Sequence, residues 1–204
     1  PYQFNPLNLN PLLDILEQDV DFDAVRHCEA IKLFVSATSV HSGKLRVFDG
    51  PELTPRAVMA SAALPQVFQA VEIDGEAYWD GGYMGNPAIF PLIYNCAAHD
   101  VLLVQVNPIE RATTPTTTPE IQDRLNEVTF NATLMREMRA IAFITELLDR
   151  HEIDDRKYKR VHLHRIDVPP EMAAFDVSTK FNAERPFLEH LRDIGQKAAR
   201  DWLD

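Results

Sequence analysis

Phe68-Gln69-Ala70-Val71-Glu72-Ile73-Asp74-Gly75-Glu76-Ala77-Tyr78-Trp79-Asp80-Gly81-Gly82 reads as a β-hairpin that ends on an acid. Asp74-Gly75 is a strong short hairpin signal, because both residue types accept the left-handed backbone of a two-residue turn. Residues 67–73 and 76–79 are the expected strands. Asp80 then falls on a turn, where Gly81 and Gly82 remove side chains so that another segment can come close. By itself Asp-Gly-Gly is an ordinary turn sequence, since both residue types dominate turns for local reasons. A carboxylate there has a second use, as general base for a hydroxyl. With an ordinary pKa of about 3.9 it is a weak proton acceptor at neutral pH. Partial desolvation by Tyr78 and Trp79 would raise that value.

Working outward, Asn5-Pro6 and Asn10-Pro11 are turn signals ahead of two short helices, one on Leu12, Leu13 and Leu16 and one on Phe22, Val25 and Arg26. Residues 31–40 and 44–48 suit strands, and Asp49-Gly50-Pro51 turns the chain. Thr54 is the expected N-cap of a helix with Pro55 at its first position, stopping before Pro65. Residues 87–96 read as a helix, and the apolar run 100–106 as a strand covered on both faces. A Thr/Pro-rich loop fills 108–119. Thr117 and Glu120 form a capping box for a long helix to about His151, with Ile121, Leu125, Val128, Ala132 and Met135 as its core-facing stripe. Residues 158–166 suit a strand and 182–203 an amphipathic helix. Strands alternating with helices predict an α/β fold with a largely parallel sheet.

Composition narrows the function. Twenty basic against 31 acidic residues leave a net charge of −11, which argues against nucleic acid as the partner. No apolar run approaches the roughly 20 residues that span a bilayer. Two cysteines, Cys28 and Cys96, make neither a disulfide framework nor a zinc site, and suit a reducing, cytoplasmic compartment. None of the five serines (Ser36, Ser39, Ser42, Ser61, Ser178) has the Gly-x-Ser-x-Gly context of a nucleophile elbow. Gly81-Gly82-Tyr83-Met84-Gly85 has the glycine interval of an elbow with Tyr at its centre.

Several blocks together are more specific than the tripeptide. Leu33-Phe34-Val35-Ser36-Ala37-Thr38 is followed by Ser42-Gly43-Lys44. Ala60-Ser61-Ala62-Ala63-Leu64-Pro65-Gln66-Val67-Phe68 precedes the hairpin, and Asp80-Gly81-Gly82 and Gly85-Asn86-Pro87 follow it. In this set the chain resembles the patatin-like phospholipase family over residues 5–107, and more weakly to the C-terminus. The resemblance implies a three-layer α/β fold related to cytosolic phospholipase, with the N-terminal part of the sheet missing from this chain. It implies a Ser-Asp dyad in which the Asp takes the proton of the serine without a histidine. The serine attacks a lipid ester, and water releases the fatty acid from the acyl-enzyme. By position Asp80 matches the base, supported by Gly81, Gly82 and Asn86, the last of which equally suits a helix cap.

The family's elbow and its glycine-rich oxyanion loop are both absent from these 204 residues. The expected organisation is therefore the C-terminal part of a catalytic domain over 1–107, the loop 108–119, and a helical and strand extension over 120–204. Since the chain opens on Pro1-Tyr2, cleavage or truncation of a longer hydrolase is the expectation. The implied partners are a lipid ester substrate and an upstream fragment carrying the serine, with transient membrane-surface contact and self-association through exposed apolar sheet. No cofactor and no metal are implied. The alternative is an inactive fragment that binds lipid or a partner without hydrolysis.

The remaining candidates have plainer readings. His162-x-His164 has a metal-binding spacing on a strand but lacks a third ligand. His41 lies near Ser39 and Ser42 in what reads as a turn. The basic run 156–160 suits a strand edge guarded by Lys and Arg.

Overall fold

The computed structural model describes the whole chain except residues 4, 168, 170, 173, 174, 176–178, 180 and 181. Ser178 thus lies outside the described residues. The chain divides into two compact units, one of residues 1–97 with 133–140 and the other of residues 98–132 with 141–204.

The first unit opens with helices α1 (Pro11–Asp19) and α2 (Phe22–Arg26). The side chains of Asn10 and Asp21 cap them, accepting from the N–H groups of Leu12 and Ala24. Strands β1 (Phe34–Ser39) and β2 (Leu45–Asp49) follow, then helix α3 (Pro55–Ser61), capped by Thr54 through the Ala57 N–H. The hairpin forms at the predicted turn, β3 (Val71–Ile73) and β4 (Glu76–Asp80) flanking Asp74 and Gly75 at φ 52° and 79°. Its first strand is shorter than the expected 67–73, residues 67–70 being turn and loop. Strand order is β2-β1-β4-β3, antiparallel at every pairing. This corrects the largely parallel sheet. Tight turns rather than crossover helices join β1 to β2 and β3 to β4, and tight turns reverse the chain.

One face of that sheet packs on α3. Ala37, Phe48, Leu53, Ala57, Met59 and Ala60 form the centre of the core, with Leu12, Leu13 and Leu16 of α1 against it. Burying Phe48 and Leu53 stabilises by about 1.5–3 kcal/mol each. The helix expected over 87–96 is shorter, α4 (Phe90–Asn95), because residues 86–89 are held in another conformation.

In the second unit, β5 (Asp100–Val104) pairs in parallel with β6 (His162–Ile166), Leu102 opposite His164. Strand β5 is not covered on both faces: Leu102 and Val104 are 45% and 64% exposed. Among the described residues its sheet has two strands, so the alternate positions of an apolar run meet solvent. The strand expected over 158–166 begins only at His162, and the basic run ahead of it is a turn rather than a strand edge. There Arg156 pairs with Asp154 and Arg160 with Asp149. Helix α6 (Arg185–Leu203) lies on β6, with Trp202 edge-on to His164.

Helix α5 (Thr118–Asp149) starts with the capping box of Thr117 and Glu120. Its stripe is not the expected one. Ile121, Leu125, Val128 and Met135 are exposed, while Asn131, Leu134, Ile141 and Leu148 are buried. The buried column continues N-terminally through Glu127 and Arg124 at three- and four-residue spacing. Polar bonds set its rotation: Arg111 forks onto Glu127, Arg124 donates to the Ile109 carbonyl, and Asn131 donates to that of Pro108. Hydrophobicity alone selects the wrong column because half of the right one is polar and satisfied by hydrogen bonds.

Candidate active site

Asp80 closes β4, where the backbone leaves the sheet and enters a single 3-10 turn over Gly81–Tyr83. Four bonds fix it. Its N–H donates to the Ala63 carbonyl at 3.0 Å, and its carbonyl accepts from the Thr38 hydroxyl at 2.9 Å. Its Oδ1 accepts from the Gly82 N–H at 2.7 Å, and Ala37 is its register partner on β1. The blocks around Ala63, Thr38 and Asp80, separate in sequence, converge at one point. Asp80 is half-buried, as are Trp79 and Gly82 beside it in the chain, and Tyr78 is buried.

Gly81 shows why the motif takes glycine. A Cβ there would stand 2.1 Å from the Ser36 carbonyl oxygen and 2.6 Å from its Oγ. No side chain fits without moving β1 or β4. Gly85 is nearly as confined, with Leu45 methyls 3.1 Å from the place a Cβ would take. Its N–H returns to the Gly81 carbonyl at 2.8 Å, which tightens the turn.

Asn86, joined to Pro87 by a cis peptide bond, does not cap the helix that follows; the N-cap position of α4 is Ile89. That helix start is held from a distance. The Glu137 carboxylate, one turn beyond Thr133 on α5, accepts from the N–H groups of Ile89 and Phe90 at 2.7 and 3.1 Å. Thr133 Oγ1 accepts from the Asn86 N–H at 3.3 Å. Burial pushes the Glu137 carboxyl above the usual glutamate range, and its two N–H bonds pull the other way. Glu137 and Thr133 escape sequence reasoning because they lie about 50 residues from the turn they hold, with no local motif.

The Ser39, His41 and Ser42 group is organised by a carboxylate rather than as a Ser-His pair. Ser39 Oγ donates to Glu76 at 2.5 Å, the His41 ring meets the other Glu76 oxygen at 3.3 Å, and Ser42 Oγ donates to Ser39 at 2.8 Å. With the carboxylate between serine and imidazole, the histidine has no hydroxyl to activate. Ser61 lies at the end of α3. On β6, His164 bonds Asp100 at 2.8 Å, and no group of three or more His, Cys, Asp or Glu side chains among the described residues is arranged to hold a metal ion. No helix among the described residues is long and apolar enough to cross a membrane.

An acid clamped at a glycine turn can accept a proton from a hydroxyl brought beside it. No curated protein matches the chain. Residues 7–93, which contain every bond to Asp80 described above, match the family model described as Patatin-like phospholipase.

Proposed function

We propose that this chain supplies Asp80 as the general base of a lipid acyl hydrolase that works through a Ser-Asp dyad. The observation that carries the reading is the clamp on Asp80: an anchored backbone, one carboxylate oxygen fixed by the Gly82 N–H, and a Gly81 that admits no side chain. Holding a base in one geometry before the substrate arrives removes much of the entropic cost of the step. A serine hydroxyl placed beside Asp80 passes its proton to the carboxylate as its oxygen attacks the ester carbonyl. The protonated acid then returns that proton to the departing alcohol.

The serine comes from a polypeptide segment outside these 204 residues, whose sequence holds no Gly-x-Ser-x-Gly. In this reading that segment also adds the oxyanion donors and the strands that complete a three-layer α/β fold. Gly81, Gly82 and Asn86 support the base, and the substrate is a carboxylic ester of a lipid.

The test is reconstitution. The 204-residue chain is co-expressed with a segment bearing the elbow, and release of p-nitrophenol from a medium-chain ester is followed. Activity of the reassembled protein, absent from either part alone, is the expected result. An associated but inert complex would favour the binding-module alternative.

A further inference from the structure

A cleft of about 870 Å³ opens at the edge of the antiparallel sheet, beside α1 and the start of α3, and Asp80 does not line it. Its floor is Tyr78, only 8% exposed, with the ring edge-on to Phe48 at 5.6 Å. The Tyr78 hydroxyl has no hydrogen-bond partner among the described residues, yet no fully buried side-chain polar atom among them is left unsatisfied. The hydroxyl therefore reaches the wall of the cleft, where an incoming molecule meets it. Burial pushes this phenol up, Arg46 opposes the shift, and the Glu76, Asp74 and Glu52 carboxylates add to it. It stays protonated, with lone pairs free to accept.

The charged groups around the floor are uneven in what they leave available. Both arginines are engaged within the protein: Arg46 pairs with Glu52 and lies over Phe48, and Arg56 donates to the Glu72 carbonyl at 3.3 Å. Glu17 and Asp74 line the same cleft with side chains that hold no ion pair or hydrogen bond among the described residues. What remains unspent is acceptor and negative. These carboxylates also do not converge as metal ligands. Spread negative charge with a phenolic acceptor at the floor suits a cation whose charges are themselves spread along a chain.

We propose that the cleft over Tyr78 binds a small linear organic polycation of the polyamine class, its ammonium groups on Glu17 and Asp74 and one N–H donated to the Tyr78 hydroxyl. Spermidine titrated calorimetrically into the 204-residue chain tests this. Saturable binding near one to one is expected. Tyr78→Phe, which keeps the ring and removes only the acceptor, weakens it by about tenfold, as does Asp74→Asn. Asp74→Asn keeps a residue type that accepts the positive φ of that turn, so it folds even if Tyr78→Phe does not. Glu110→Gln makes the same charge change at an exposed residue outside the cleft and leaves affinity unchanged. No saturable heat overturns the proposal. So does equal weakening by Asp74→Asn and Glu110→Gln, which is the signature of diffuse attraction to an acidic chain.

Discussion

The Gly81 α-carbon lies so close to Ser36 that an added methyl would stand 2.1 Å from the Ser36 carbonyl oxygen, closer than any non-bonded carbon and oxygen can approach. This contact welds the turn after β4 onto β1 and makes the Asp-Gly-Gly sequence a matter of space. Gly81→Ala should therefore destabilise by about 1–3 kcal/mol or more, since backbone rather than a flexible side chain must give way. Denaturant unfolding measures it, and an unchanged midpoint would mean that the two strands do not approach as described.

Asp80→Asn keeps an Oδ1 that can accept from the Gly82 N–H while removing the basic carboxylate. In the reconstituted or full-length hydrolase, turnover of a chromogenic ester should fall by about 10² to 10⁴ with the fold intact by circular dichroism. Retained activity would take Asp80 out of the mechanism.

Glu137 serves as a cap supplied from another helix. Glu137→Ala leaves two N–H groups at the start of α4 without their acceptor and should cost about 1–3 kcal/mol. Glu137→Gln keeps an acceptor oxygen and should cost less. If both variants unfold at the same denaturant concentration, the two N–H bonds do not support the segment after the motif.

The same residue gives a signed pH effect. Because its folded-state pKa is raised by burial, folding favours the protonated carboxyl. Its contribution to stability therefore improves as pH falls from above that raised value toward the ordinary glutamate range. The stability difference between Glu137→Gln and the parent should thus favour the variant more at pH 7 than near pH 4. A difference independent of pH would show that the carboxylate is well solvated.

Glu76 has the opposite sign. The Ser39 hydroxyl, then the His41 ring, hold its carboxyl below the usual range. The stability it confers is present above the ordinary glutamate pKa and is lost as pH falls through the lowered value. Ser39→Ala should move the onset of acid unfolding to higher pH, read from near-ultraviolet circular dichroism.

Local chemistry was enough to specify much of this protein from sequence. The Asp74-Gly75 hairpin, the Thr54 cap with Pro55, and the Thr117–Glu120 box each depend on residues within four positions of one another. Their backbone preferences and short hydrogen bonds are complete before any distant contact forms. The Asp80 turn was equally legible, because glycine pairs of that type answer a backbone demand.

Tertiary structure alone decided what depends on distant partners. The antiparallel order of the first sheet rests on Ala37 meeting Asp80 across 43 residues, and the apolar pattern of β1 is compatible with either direction. The buried column of α5 was hidden because Arg124, Glu127 and Asn131 read as surface until Arg111, Ile109 and Pro108 satisfy them. Glu137 and Thr133 carried no signal at all, since a carboxylate becomes a cap only when another helix brings its N–H groups within reach. A short-range bond is determined by the order of residues, whereas a long-range one exists only after the chain has closed the loop between its ends.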